Sequence, residues 1–107
     1  MNSDQFTLGC LDSIISSRKT QNGDLSYVAS LLGNDDTKAL KKIGEEATEL
    51  VIALKNENRL EIVGEAADLW FHTLVALARH DCDSTDILGE LERRFGVSGH
   101  IEKASRT

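Results

Sequence analysis

Proline is absent from all 107 residues, and aromatic residues make up only 5% of them. Without proline nothing forces a helix to break, and with few aromatic or β-branched runs there is little material for strands. Helices are the natural reading. Cysteine occurs only as Cys10 and Cys82, far apart and in no metal or redox spacing. Both read as free thiols of a reducing compartment, which points to the cytoplasm. No basic segment followed by an apolar run opens the chain, so a secretory signal is not expected. The most apolar stretch contains Glu65, Asp68 and His72, which excludes a simple membrane span. Positive charge is also scarce, with 12 Lys and Arg against 18 Asp and Glu and a net charge of −6. That balance argues against nonspecific binding to nucleic acid or to an anionic membrane. It also means that an anionic ligand needs local cations or a metal. No internal repeat or low-complexity segment is present.

What remains fits one all-α domain over residues 1–107, a bundle of four to five helices with a modest core. The pattern predicts a first helix over about Phe6–Arg18, with Leu8, Leu11, Ile14 and Ile15 inward. A turn follows at Gln21–Asp24, then a short helix over Ser26–Leu32, capped by Asp24 and stopped by Gly33. Tyr27 on it reads as a core aromatic with a wet hydroxyl. Asn34-Asp35-Asp36 caps a third helix running to about Asn56, with Leu40, Ile43, Ala47, Leu50, Val51 and Leu54 on one face. The polar link Lys55–Arg59 is short enough to join antiparallel helices. The fourth helix, to about Arg79, is apolar nearly all round and belongs inside a bundle. Asp83-Ser84 caps a fifth helix ending at Gly96, with Ile87, Leu88, Leu91 and Phe95 toward the core. Gly44 and Gly64 each interrupt a helix at roughly 0.5–1 kcal/mol relative to alanine, and close helix–helix approach is the simplest account.

Acidic residues interrupt this apolar pattern in a regular way. Glu45, Glu46 and Glu49 adjoin the apolar face of the third helix, and Glu61, Glu65, Asp68 and His72 fall within about 60° on the fourth. In one reading they are surface groups paired with Lys38, Lys41, Lys42 or Arg79, which suits Glu61. It suits Glu65 and Asp68 poorly, since their neighbours are apolar and unmatched carboxylates there are costly. In the other, E-x-x-E on one helix faces E-x-x-D on the next and holds Mg²⁺ or Mn²⁺, hard cations that favour oxygen ligands. Lys38 and Lys42, four apart on the side that Glu45 and Glu49 continue, are either a solvated face or a phosphate attractor. His72 is a buried structural histidine or a contact to substrate. The tail gathers Arg93, Arg94, Lys103 and Arg106 around Ser98-Gly99, either as a flexible terminus or as a phosphate cradle.

Glu45-Glu46-x-x-Glu49 followed by Glu65-x-x-Asp68 resembles the signature of the all-α nucleoside triphosphate pyrophosphatases, the MazG-like group. Nearly the whole chain is similar to a narrower family, the phosphoribosyl-ATP pyrophosphatases of histidine biosynthesis. The match is carried by Ser26-Tyr27 with Leu31-Leu32, Lys41-Lys42-Ile43-Gly44-Glu45-Glu46-Ala47-Thr48-Glu49, Glu65-Ala66-Ala67-Asp68-Leu69 with His72, and Arg93-Arg94-Phe95-Gly96-Val97-Ser98-Gly99. Many members have a proline before the Ser-Tyr segment, where this chain has Asp24-Leu25.

The resemblance implies a MazG-like homodimer that hydrolyses 1-(5-phosphoribosyl)-ATP to 1-(5-phosphoribosyl)-AMP and pyrophosphate. It implies Mg²⁺, with Mn²⁺ a substitute, held by Glu46, Glu49, Glu65 and Asp68. Glu45 is either a further ligand or the group orienting the attacking water. Lys38, Lys42, His72, Arg93, Arg94, Ser98, Gly99 and Lys103 are the expected substrate contacts, the tail meeting the ribose phosphate. Two other readings stay open: a house-cleaning pyrophosphatase of free nucleotides, and a non-enzymatic dimeric interaction module with merely solvating acids.

Overall fold

Local capping chemistry divides the chain into its helices. In a computed structural model describing residues 5–21, 26–33 and 35–96, these are α1 (Leu8–Arg18), α2 (Tyr27–Leu32), α3 (Thr37–Asn56), α4 (Arg59–Ala78) and α5 (Ser84–Phe95). No strand occurs among the described residues, so the all-α expectation holds. Thr7 Oγ1 accepts from the Cys10 amide at 3.2 Å to start α1, and Asn58 Oδ1 accepts from Glu61 at 3.2 Å to start α4. The expected caps Asp24 and Asn34 lie outside the described residues. Ser26 caps α2 through its hydroxyl, and Asp35 accepts from the Thr37 amide at 3.0 Å ahead of α3. Asp83 and Asp86 form a reciprocal capping box on α5, which Gly96 ends. The turn from α3 to α4 needs Glu57 in the left-handed region, at φ 57°.

Helices α3 and α4 pack lengthwise as an antiparallel hairpin. Helices α1 and α2 close over its far end, where Ile15, Val28, Leu31, Leu32, Ala39, Leu74, Val75 and Ala76 form the core. Leu8 and Leu11 pack on that core, as their spacing predicts. Arg79 ties the end of α4 to α2 by donating to the Leu32 carbonyl. Ser84, at the start of α5, donates its amide and hydroxyl to the Asp12 carboxylate of α1.

Several apolar faces turn outward instead of inward. On α3 the buried positions are Ala39, Glu46 and Ala53, while Leu40, Val51 and Leu54 are more than half exposed. The small side chains of Ala39 and Ala53 let α4 come close on that side, which rotates the larger residues out. Helix α4 likewise exposes Leu60 (84%), Val63 (56%) and Trp70 (59%), and its buried residues begin only at His72. On α5, Ile87, Leu88, Leu91 and Phe95 are exposed, contrary to their predicted inward face, because α5 packs against α1 and presents this stripe outward. The account of Gly44 and Gly64 also changes. A Cβ at either would meet nothing within 4 Å, so no close approach among the described residues requires glycine there.

Candidate active site

Two helical periodicities bring three of the four expected ligands together. Glu46 and Glu49 lie one turn apart on α3, and Glu65 projects from the facing turn of α4. One carboxylate oxygen of each lies within 4.8 Å of the other two. Glu46 is only 5% exposed, Glu65 is half-buried and Glu49 is open to solvent. Asp68 stands outside this triad. It is exposed, and it lines the same groove as Glu49, Ile52, Ala53, Glu61, Gly64 and Glu65, a cavity of about 370 Å³.

Glu46 is the strained member electrostatically. Its Oε2 is buried with no hydrogen-bond partner among the described residues. Burial raises its pKa above the usual carboxylate range. Glu49, which repels its charge and can share its proton, raises it further, and the Asp68 charge adds to this. Lys42 opposes the shift, with Nζ 3.4 Å from Glu46 Oε1 and 3.6 Å from Glu45 Oε1. The Lys42 pKa is raised in return, first by its bond to Glu46.

The expected substrate contacts divide into distinct groups. Lys42 meets the acids directly. Lys38 lies against α2, its Nζ donating to Ser30 Oγ at 3.4 Å and standing 5.8 Å from the centre of the Tyr27 ring. His72 is buried and both its nitrogens are occupied. Nδ1 donates to the Asp68 carbonyl at 2.7 Å, which leaves Nε2 to meet the Tyr27 hydroxyl at 2.8 Å. Both ring nitrogens of His72 are thus engaged within the chain, which is the arrangement of a buried structural histidine. Tyr27 departs from its reading as a core aromatic. It is 48% exposed, and its hydroxyl bridges α2 to α4 through His72 Nε2. Arg93 and Arg94 both hold Glu90, at 2.7 and 2.8 Å, and depress its carboxyl to about 2. Ser98, Gly99 and Lys103 lie outside the described residues.

The donor set fits a hard divalent cation. It offers three carboxylates converging from two helices, one with a buried unpaired oxygen, and no sulfur or imidazole among the clustered groups. A helical hairpin that gathers Glu46, Glu49 and Glu65 beside Lys42 agrees with the all-α pyrophosphatase class that the sequence motifs resemble.

Comparison with known proteins narrows this class to one family. The family model described as phosphoribosyl-ATP pyrophosphohydrolase matches residues 8–95. The chain is 54% identical over 106 residues to a phosphoribosyl-ATP pyrophosphatase of Geobacter metallireducens, covering 99% of this chain and 97% of that protein. It is 52% identical over 101 residues to one of Hydrogenovibrio crunogenus, with 91% and 89% covered. A third, of Nitrosomonas eutropha, is 50% identical over 107 residues, with 100% and 92% covered. The chain belongs to the phosphoribosyl-ATP pyrophosphohydrolase family.

Proposed function

We propose that this chain hydrolyses 1-(5-phosphoribosyl)-ATP to 1-(5-phosphoribosyl)-AMP and pyrophosphate, the second step of histidine biosynthesis, in the cytoplasm. The observation that carries the reading is the site itself, a buried, unpaired Glu46 oxygen among three converging carboxylates in a chain of this family. Glu46, Glu49 and Glu65 would hold Mg²⁺, or Mn²⁺ in its place, with Asp68 lining the same groove. When bound, the metal supplies neutralisation of the triphosphate charge and of the charge developing on the leaving pyrophosphate. Water attacks the α-phosphorus and the bond to pyrophosphate breaks. Lys42 and Lys38 draw the phosphates to a protein whose net charge of −6 otherwise repels them.

The unit that acts is a homodimer. Leu40, Val51 and Leu54 on α3 and Leu60, Val63 and Trp70 on α4 form outward apolar faces of one hairpin. A second copy of the hairpin, related by a twofold axis, covers them in a four-helix arrangement. Gly44, on the same arc as Leu40 and Val51, leaves room for such an approach. Among the described residues no helix is long and apolar enough to cross a membrane.

The test compares phosphoribosyl-ATP, ATP and dUTP as sources of pyrophosphate in the presence of Mg²⁺. Strong preference for phosphoribosyl-ATP is expected. Equal turnover of ATP or dUTP supports a house-cleaning enzyme instead, and no release from any of the three supports an interaction module.

A further inference from the structure

Glu45 and Glu46 are consecutive, yet the structure treats them differently. Glu46 belongs to the converging triad, whereas Glu45 does not and is exposed. What the two share is Lys42, whose ammonium stands between them at 3.6 and 3.4 Å. The lysine lies one helical turn before both acids, so a small change of its rotamers carries the ammonium from one to the other. On Glu46 the ammonium occupies one oxygen of a carboxylate whose other oxygen is buried and unpaired. A divalent cation entering the triad competes with it there, and at equal separation attracts the carboxylate about twice as strongly.

We propose that Lys42 is the resident cation of the empty carboxylate triad and that Glu45 is its second holder, so that divalent metal moves the ammonium from Glu46 to Glu45, one helical turn before the groove residue Glu49. Glu45 is then a positioning residue acting through Lys42, and neither a metal ligand nor the group that orients water. The inference rests on the reading of the triad as a metal site. It adds a coupling that the reading does not contain: the metal both fills the triad and releases a lysine for the anion.

The experiment reads Lys42 itself, in the full chain and without substrate. Acylation by an amine-reactive acetyl ester is followed by peptide mass spectrometry in EDTA and in Mn²⁺, with the exposed neighbour Lys41 as internal reference. Lys42 should react several-fold faster relative to Lys41 once Mn²⁺ is present. Alongside, Mn²⁺ binding to Glu45→Gln and Glu46→Gln is measured by titration, with circular dichroism confirming that each is folded. Glu45→Gln should keep the wild-type stoichiometry and an affinity close to wild type, while its KM for phosphoribosyl-ATP rises. Glu46→Gln should lose most Mn²⁺ binding. Mn²⁺ that binds wild type without changing Lys42 reactivity overturns the proposal and leaves the function standing. Loss of Mn²⁺ from Glu45→Gln as severe as from Glu46→Gln also overturns it, since Glu45 is then a ligand. Wild type that binds no Mn²⁺ overturns both the proposal and the metal reading beneath it.

Discussion

Replacing Glu46 with glutamine should stabilise the metal-free protein and destabilise it relative to wild type once metal is added. The wild-type carboxylate is 5% exposed, and its unpaired oxygen carries a desolvation cost of about 1–3 kcal/mol. Against this stands the Lys42 ion pair, an i, i+4 contact worth about 0.3–0.5 kcal/mol at a partly open site. The cost outweighs the gain. Glutamine removes the charge facing Glu49 and supplies an N–H group that can donate to a neighbouring carboxylate. A net gain of about 1 kcal/mol in EDTA follows, which raises the melting temperature by roughly 4–8 °C for a domain near this size. With Mg²⁺ at a hundredfold excess over its dissociation constant, wild type gains about 2.7 kcal/mol and the variant gains little, so the order reverses.

The pH dependence has a definite sign. Because the folded protein holds the Glu46 proton to a higher pH than the unfolded chain does, the folded state binds more protons in the interval between the two pKa values. Stability in EDTA therefore rises as pH falls from neutrality through the raised Glu46 pKa, and Glu46→Gln lacks this slope. Thermal melts of both proteins at one concentration, with EDTA and with Mg²⁺, decide the matter. A variant that melts lower than wild type in EDTA, with no metal response in either protein, would refute the reasoning and return Glu46 to an ordinary salt bridge.

Three further outcomes follow from other contacts. Tyr27→Phe leaves the buried His72 Nε2 without its partner and should cost about 1–2 kcal/mol in urea unfolding; an unchanged midpoint would mean that the bridge contributes nothing. Arg94→Ala should raise KM for phosphoribosyl-ATP, since a lost charge-assisted bond is worth roughly 1.5–3 kcal/mol, and leave Mn²⁺ affinity unchanged; an unaltered KM would leave Arg94 only its bond to Glu90. Light scattering should find wild type as a dimer at micromolar concentration and Val51→Glu as a monomer, because that side chain, 65% exposed in one chain, lies on the face assigned to the second copy; a stable wild-type monomer would remove the dimer from the account.

Helix boundaries and the carboxylate ladder were legible because both are local. Asp83-Ser84 marks the start of α5 by itself, and Glu46 with Glu49 falls on one side of any α-helix. The contact between Tyr27 and His72 was not legible, since it joins residues 45 apart and neither carries a mark of the other. Lys42 was only half legible. Its spacing from Glu46 was plain, but the ion pair depends on the ammonium lying inward, which periodicity does not determine. The outward stripe of α5 was missed for a related reason. Alternating apolar and polar faces announce that something covers the apolar one, without saying whether it belongs to the same chain.

The rotation of α3 joins these points. Had Leu40, Val51 and Leu54 faced α4, as their size suggests, Glu46 would have stood at the edge of the hairpin with both oxygens in water. Instead Ala39, Glu46 and Ala53, spaced seven apart, form the buried line. The two alanines bracket the acid one heptad to either side, and their small side chains bring α4 close enough to dehydrate it. The large apolar residues are then displaced to the outer surface, where a single chain leaves them uncovered. One choice of rotation thus produces both the poorly solvated carboxylate that favours a cation and the exposed face that favours a second copy. Neither is an isolated defect of the fold. Enlarging Ala53 to leucine would test the connection, since it should push the hairpin apart and weaken Mn²⁺ binding through Glu46 without touching any acid.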